Sequence, residues 1–280
     1  MQEFEPQVLE GLYTPSRDSH KGQNGKVMLI AGSKLFHSAS IWPLTVMSRM
    51  ADMVFYASVS DNNEIVSRMK EQFVNGIVIT RDKIGDYIAE ADCVLIGPGL
   101  PREDGIEQGD DDTKALTEGL LAKYSDKKWV IDGGSLQVIE PHKIPKGSII
   151  TPHLKEFETL FGADISSLSI EDRGSKVSEM AEKYGLVILS KGEVDIISDG
   201  SQTVSVAGGN SGMTKGGTGD VLAGLTAALY AKNDAFVSAC AASYINKKAG
   251  ESLEKTMGIY FNASDLASEI PKILAHSIAQ

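Results

Sequence analysis

The sequence predicts an α/β protein in which helices cover both faces of a central, mostly parallel sheet. Short runs rich in β-branched residues, apolar on both faces, alternate with longer helical patterns. Strands of this kind are typical of a parallel sheet buried between two helical layers. Hydrophobic residues make up 42% of the 280 residues, which is enough to fill such a core.

The predicted strands and helices follow one another in a regular order. Seven runs form the parallel part of the sheet: residues 27–31, 53–59, 76–80, 93–96, 129–131, 148–151 and 186–190. The helical patterns between them include residues 39–49, 113–124 and 175–183. Residues 196–198 and 203–206 predict a hairpin with a type I′-like turn at Asp199 and Gly200. Three helical patterns complete the chain, at residues 220–232, 235–253 and 263–276.

The ends of several predicted strands carry functional residues. Asp132 follows strand 129–131, Pro152 and His153 follow strand 148–151, and Lys191 follows strand 186–190. In parallel α/β sheets, ligands bind outside the carboxyl ends of the strands. Ordinary loops favour glycine and proline but would not explain an acid, a histidine and a lysine in these places. We therefore predict a ligand crevice that these strand ends share.

Composition excludes several classes of protein. The chain has 27 Lys and Arg against 38 Asp and Glu, a net charge of −11, which argues against a nucleic-acid partner. Cys93 and Cys240 lie in apolar runs, which predicts buried thiols rather than a disulfide or a zinc site. No stretch has the roughly 18 apolar residues of a membrane helix, and the N-terminus does not resemble a signal peptide. We expect a cytoplasmic protein that does not contact a membrane.

No repeat or linker divides the chain, so we predict a single domain over residues 1–280. The first 20 residues predict an amphipathic arm or a short helix that leads into it. Residues 103–112 are acidic and contain glycine, which predicts a solvated surface loop.

A glycine-rich segment provides the strongest functional signal. Six of the thirteen residues 208–220 are glycine, and a helical pattern follows directly. Free N–H groups at the start of a helix bind anions, and missing side chains let a phosphate approach. The segment lacks the ending of a Walker A loop and the early strand of a dinucleotide-binding fingerprint. Asp220 is either an acid that complements the helix dipole or a catalytic base beside the anion site, and the glycines favour the base.

The segment Gly217-Thr218-Gly219-Asp220 resembles the GxGD motif of the ribokinase-like superfamily. More narrowly, the chain is similar to the ADP/ATP-dependent NAD(P)H-hydrate dehydratases from about Gly25 to Leu274. The other landmarks appear in order and include Gly97-Pro98-Gly99-Leu100, Thr151-Pro152-His153 with Glu156-Phe157, and Lys191-Gly192. The ordered set is more specific than any one of these motifs.

This resemblance implies a ribokinase-like fold and a repair activity. Such enzymes remove water from the hydrated nicotinamide ring of NADH or NADPH at the expense of ADP or ATP. Phosphate is a better leaving group than hydroxide, so phosphorylation of the ring hydroxyl followed by loss of phosphate is the sensible route. Mg²⁺ would offset the phosphate charge, although no metal ligands can be assigned. The resemblance also implies a homo-oligomer, with a homotetramer expected.

The resemblance further implies roles for individual residues. Asp220 would be the base and a substrate contact, and the backbone of Gly217, Thr218 and Gly219 would form the anion hole. Gly219 would also touch the nucleotide. The other implied contacts are Ala39, Gly99 and His153 for the hydrated dinucleotide, and Lys191, Gly192, Glu193, Val194 and Asp195 for the nucleotide. His153 alone would suggest a structural loop histidine, and Glu156 either orients a metal-bound water or caps the next helix.

The chain departs from the family pattern in several places. Gly133-Gly134-Ser135 stands where a second acid is common, residues 34–38 are less glycine-rich than usual, and Asp195 stands where threonine is common. We also expect no epimerase domain, which often precedes this one.

Two alternative functions use the same features. A ribokinase-like kinase for a vitamin-precursor alcohol, of the hydroxymethylpyrimidine or thiazole type, would use the same base and anion hole. A nucleotide-sensing module would bind without catalysis. Thr151-Pro152-His153 together with Gly97-Pro98-Gly99 favours the dehydratase over the kinase, and the presence of Asp220 disfavours the sensor.

Overall fold

The computed structural model describes residues 1–71 and 74–278 and contains one ten-stranded sheet. The strands are β1 (Gln2–Glu3), β2 (Lys26–Ile30), β3 (Met53–Ala57), β4 (Ile77–Ile79), β5 (Cys93–Ile96), β6 (Lys128–Ile131), β7 (Ile149–Ile150), β8 (Val187–Ser190), β9 (Asp195–Ser198) and β10 (Thr203–Val206). Their order across the sheet is β1-β10-β9-β8-β7-β6-β5-β2-β3-β4. Neighbours from β8 to β4 are parallel, and β9 runs antiparallel to both of its neighbours. The predicted, mostly parallel sheet is confirmed.

Helices cover both faces of this sheet, as predicted. They are α1 (Ser38–Met50), α2 (Ser60–Arg68), α3 (Ile84–Glu90), α4 (Thr113–Lys123), α5 (Gly133–Val138), α6 (Leu154–Phe161), α7 (Ile170–Tyr184), α8 (Thr218–Tyr230), α9 (Ala235–Met257) and α10 (Ala263–Ile278). Alternate strand residues separate the two cores. Val27 and Leu29 of β2 face α1, α8, α9 and α10, whereas Met28 and Ile30 face α3 to α7.

Two local predictions need correction. Four residues, 199–202, connect β9 to β10, and among residues other than glycine in the described chain no φ is positive. A type I′ turn needs a positive φ at both central residues, so that prediction is wrong. The Asp199 carboxylate instead accepts the N–H groups of Ser201 and Gln202. Helix α7 begins at Ile170 rather than at residue 175, because the Ser169 side chain caps it by accepting the Asp172 N–H.

The peripheral segments are anchored to the sheet. Residues Gln2–Glu3 pair with β10, and Phe4, Leu9 and Leu12 are buried in the core. Most of the acidic loop 103–112 is exposed, as predicted, but Asp110 accepts the N–H of Lys34 at 2.7 Å.

Both cysteines are buried, as predicted, and burial raises the pKa of each thiol, to about 12 for Cys240. None of the helices in residues 1–71 and 74–278 is both long and apolar enough to cross a membrane.

Candidate active site

The carboxyl ends of β6, β7 and β8 meet at one edge of the sheet, as the predicted crevice requires. Lys191, which follows β8, lies with its Nζ 2.7 Å from Asp132 Oδ1 after β6 and 3.9 Å from Glu156 Oε2. The Thr151 hydroxyl, at the end of β7, donates to the same Asp132 oxygen at 2.7 Å. Parallel neighbours bring these side chains together although Asp132 and Lys191 are 59 residues apart in sequence.

The first turn of α8 lies against this cluster. Gly217, which precedes the helix, has a φ of +96°, and a Cβ there would lie 2.4 Å from the Trp42 ring of α1. Only glycine fits this close approach. A Cβ on Gly219 would lie 3.5 Å from Lys191 Nζ, so the lysine ammonium stands beside the start of the helix.

This end of α8 therefore combines two positive features, the helix dipole and the Lys191 ammonium. The Thr218 N–H donates to the Lys215 carbonyl at 3.3 Å, and its hydroxyl donates to the Met213 carbonyl at 2.6 Å. In the described chain, no acceptor is bonded to the N–H groups of Gly217 and Gly219. A backbone of this kind is suited to bind an anion such as phosphate.

Asp220 has an unusual electrostatic environment. Burial, followed by the negative charge of Asp132, raises the pKa of its carboxyl from 3.8 to about 8, and Lys191 opposes the shift. Burial would lower the pKa of Lys191, but Asp132 and Glu156 outweigh it, so the pKa is raised and the ammonium is charged. A carboxyl with a pKa near neutrality is suited to proton transfer.

His153 and Glu156 form a reciprocal cap at the start of α6. His153 Nδ1 accepts the N–H of Glu156 at 3.2 Å, and Glu156 Oε2 accepts the N–H of His153 at 3.0 Å. Glu156 thus has the capping role, one of the two that the sequence left open. Burial raises the pKa of its carboxyl. The His153 side chain is 49% exposed, so its outer face is open to a ligand.

A cavity of about 830 Å³ lies beside Lys191, which forms part of its wall. Its walls contain the predicted nucleotide segment 191–195, the glycine-rich residues 207–211, Thr218 and Gly219 at the start of α8, and Asn246 and Lys247 of α9. The residues predicted for the nucleotide therefore line one cavity.

Lys247 is a structural residue of this cavity that the sequence analysis missed. It is 6% exposed and donates to the Glu193 carbonyl at 2.9 Å and the Gly192 carbonyl at 3.2 Å. Its Nζ also lies 3.4 Å from Asp195 Oδ1. Asp195 Oδ1 further accepts the Gly192 N–H, and Oδ2 accepts the hydroxyl of Ser243, so both oxygens are used to brace the cavity wall. Polar residues at 243, 246 and 247 in an alanine-rich helix were the signal for this wall.

Ala39 and Gly99 lie together at the end of β5, on the side of the cluster away from the cavity. A Cβ on Gly99 would lie 2.7 Å from the Ala39 Cβ and 3.0 Å from the Phe36 carbonyl oxygen. A Cβ on Gly97 would lie 1.8 Å from the Asp132 carbonyl oxygen, which places the end of β5 directly beside that of β6. Ala39 and Gly99 thus lie on the β5 side of Asp132, whereas His153, which was also predicted for the hydrated dinucleotide, lines the cavity together with the nucleotide segment 191–195.

Gly134 stands where the family pattern has a second acid, and the structure gives a steric reason for the glycine. A Cβ there would lie 2.1 Å from the Leu100 carbonyl oxygen, so this backbone leaves no room for the second acid of the family pattern. Asp132 Oδ1 is already bonded to Thr151 and Lys191. Among the residues that the structure describes, no group of three or more His, Cys, Asp or Glu side chains is arranged to hold a metal ion.

Comparison with known proteins supports the motif-based resemblance. The family model described as NAD(P)H-hydrate dehydratase matches residues 27–272. An ADP-dependent (S)-NAD(P)H-hydrate dehydratase of Cenarchaeum symbiosum is 34% identical over 275 residues, covering 94% of this chain and 93% of its own length. A bifunctional NAD(P)H-hydrate repair enzyme of Methanocaldococcus jannaschii is 36% identical over 274 residues, 95% of this chain. The chain spans 51% of the length of this bifunctional relative. These relatives favour the dehydratase over the vitamin-precursor kinase.

The fold also has solved counterparts. A ribokinase-like superfamily protein from Enterococcus faecalis superposes with a TM-score of 0.85 at 21% identity, covering 100% of this chain and 97% of that one. The predicted ribokinase-like fold is confirmed.

Proposed function

Because this chain belongs to the NAD(P)H-hydrate dehydratase family, we propose that it regenerates NADH and NADPH from their hydrated forms with ADP or ATP as co-substrate. One observation carries the proposal. Asp220, with a pKa raised to about 8, lies in the first turn of α8, directly after Gly219 and close to the Lys191 ammonium. A general base at an anion-binding helix start is what transfer of a phosphoryl group to a ring hydroxyl requires.

In the proposed reaction, ionised Asp220 removes the proton from the ring hydroxyl while the oxygen attacks the terminal phosphorus of the nucleotide. The Lys191 ammonium and the N–H groups of Gly217 and Gly219 stabilise the charge on the transferred group. The carbon–oxygen bond then breaks, phosphate leaves with its electron pair, and the ring loses a proton to restore the dihydronicotinamide. The products are NADH or NADPH, inorganic phosphate and the shortened nucleotide.

The binding residues fit this arrangement. We propose that Ala39, Gly99 and His153 contact the hydrated dinucleotide, and that the segment 191–195 with Gly219 contacts the nucleotide. Among the described residues, the side chains near Lys191 form no set of metal ligands, so we propose that Mg²⁺ enters with the nucleotide phosphates as part of that substrate. We also propose that the protein is a homotetramer and lies in the cytoplasm. Light scattering of the purified chain tests the oligomeric state.

The direct test supplies chemically hydrated NADH, Mg²⁺ and either ADP or ATP and follows the near-ultraviolet absorbance of reduced nicotinamide. Recovery that requires a nucleotide supports the proposal, and the two nucleotides compared at equal concentration give the preference. Asp220→Asn is the matched control and should abolish most of the recovery. No recovery from folded protein that still binds ADP would refute the dehydratase and favour a kinase.

A further inference from the structure

Trp42 of α1 lies against the glycine that precedes α8. The ring is partly buried, and a Cβ on Gly217 would lie 2.4 Å from its Cζ3 and 2.5 Å from its Cε3. This edge of the indole ring therefore contacts the glycine backbone directly. The pyrrole edge is also held, because Nε1 donates to the hydroxyl oxygen of Ser264 in α10 at 3.0 Å. The two contacts together fix the orientation of the ring.

The start of α10 contacts the same loop in two further places. A Cβ on Gly217 would lie 2.8 Å from the Ala263 Cβ. The Lys215 ammonium donates to the Ile259 carbonyl, just before α10, although the two residues are 44 positions apart in the chain. The backbone that leads into α8 is thus packed against both α1 and α10.

Gly217 needs this packing because it has no side chain of its own to hold it in place. Its φ of +96° lies in the left-handed region, and glycine has the greatest conformational freedom of any residue. The N–H groups of Gly217 and Gly219 have no acceptor in the described chain, so no hydrogen bond from these groups fixes their direction. Their direction therefore depends on what packs on Gly217, and the Trp42 ring makes the closest of these contacts.

We propose that Trp42 is a positioning residue that aligns the anion hole with the hydroxyl to be phosphorylated. The inference rests on the proposed phosphoryl transfer at Gly217 and Gly219. Such donors stabilise charge only at the place where it develops, and a displacement of about 1 Å can cost about 100-fold in rate. Ala39, a proposed contact of the hydrated dinucleotide, lies three residues before Trp42 on the same face of α1. One helix thus places both reactants.

The test compares Trp42→Phe with Trp129→Phe in the recovery assay with hydrated NADH and ADP. These are the two tryptophans of the chain. Trp129 of β6 is a matched control, because it is buried in the core on the other face of the sheet and its Nε1 donates to the Tyr124 carbonyl at 2.9 Å.

The two variants should differ in kcat. Trp42→Phe should lower kcat about tenfold or more with both Michaelis constants nearly unchanged, since an anion hole acts most strongly in the transition state. Trp129→Phe should lower the melting temperature but leave kcat, measured well below that temperature, unchanged. Equal values of kcat in the two variants would overturn the proposal.

Ser264→Ala is a second variant that keeps both tryptophans and removes the partner of Trp42 Nε1. Ser264 is exposed, so its loss should change the melting temperature little. The indole ring should then lose its fixed orientation, and kcat should fall about threefold or more. If Trp42→Phe does not fold, an unchanged kcat in Ser264→Ala by itself overturns the proposal.

Tryptophan fluorescence gives a readout that does not depend on turnover. In Trp129→Phe the remaining tryptophan is Trp42, so the emission reports on the surroundings of Gly217. Saturating ADP, with its binding measured separately by calorimetry, should change this emission, and an unchanged emission with ADP bound would overturn the proposal. No recovery of NADH by the wild-type protein would refute the dehydratase, and the role of Trp42 with it, even where ADP still changes the emission. The two failures are therefore distinguishable.

Discussion

Replacing Asp132 by asparagine should lower the pH at which Asp220 becomes a base. Burial and then the charge of Asp132 hold the pKa of Asp220 at about 8. Asparagine preserves the shape of Asp132 and an oxygen for the Thr151 hydroxyl but carries no charge. The change also ends the ion pair that holds Lys191, whose positive charge lowers the pKa of Asp220.

The size of the effect follows from the position of the pKa. With a pKa of about 8, about 1% of the carboxyl is ionised at pH 6 and about 9% at pH 7, so the wild-type rate should rise about tenfold over that interval. A neighbouring charge changes a pKa by roughly 1–3 units. If Asp132→Asn lowers the pKa of Asp220 by one unit, about half of the carboxyl is ionised at pH 7 instead of about 9%. The rate of the variant at pH 7, as a fraction of its own high-pH plateau, should then be roughly five times that of the wild type.

The assay is the pH dependence of kcat/KM, from the recovery of near-ultraviolet absorbance with hydrated NADH and ADP both well below their Michaelis constants. Under these conditions the acid limb reports the free enzyme. Thr151→Val is the matched control, because it removes a hydrogen bond to Asp132 but keeps the charge, and its midpoint should stay near that of the wild type. If the midpoint of Asp132→Asn does not move, the charge of Asp132 does not set the pKa of Asp220 and the reasoning fails.

Substitutions at four further positions test other parts of the site. Asp220→Asn should lower kcat by about 10²–10⁴-fold. Asp220→Asn should also raise the melting temperature, and most at alkaline pH. The contribution of the protonated Asp220 carboxyl to the free energy of unfolding is complete below pH 3.8 and is lost as the pH rises through about 8, whereas asparagine carries no charge at any pH. Lys191→Ala should weaken nucleotide binding in calorimetry and cost about 3–5 kcal/mol of unfolding free energy, since it leaves Asp132 buried without a counter-charge. His153→Ala should cost about 1 kcal/mol through the lost cap, and His153→Asn should restore that stability but not the KM for hydrated NADH. Gly134→Asp should destabilise the fold, seen as a lower melting temperature, because its Cβ would meet the Leu100 carbonyl.

Each of these expectations has a contrary outcome. An Asp220→Asn variant within a few-fold of the wild-type rate would remove the base from the proposed reaction. Lys191→Ala with wild-type affinity for ADP would place the phosphate site elsewhere. Recovery of both stability and KM in His153→Asn would leave His153 with its capping role alone. If Gly134→Asp has the same melting temperature as the wild type, the loop after β5 can move to make room for the new side chain.

Much of the fold was predictable because its signals lie in neighbouring residues. Apolar runs such as residues 93–96 predict buried strands with their bounds nearly correct, since a strand buried on both faces needs no polar alternation. Predictions that depended on an individual turn or cap fared less well. The four-residue connection after Ser198 and the start of α7 at Ile170 depend on backbone N–H groups that donate to the side chains of Asp199 and Ser169. Such side chains are compatible with several turn types, so the sequence does not select one.

The sequence alone determined the order of strands β2 to β10 along the chain, the glycine-rich helix start before Asp220 and, through its ordered motifs, the family. Strand β1 was not predicted. Only the tertiary structure decided what these residues do to one another. The Lys191–Asp132 pair, the raised pKa of Asp220 and the contact of Trp42 with Gly217 depend on burial and on distances between residues far apart in the chain. Periodicity and backbone conformation act between neighbours along the chain, whereas electrostatic interactions and desolvation act through space, so they are fixed only when the strands are placed side by side.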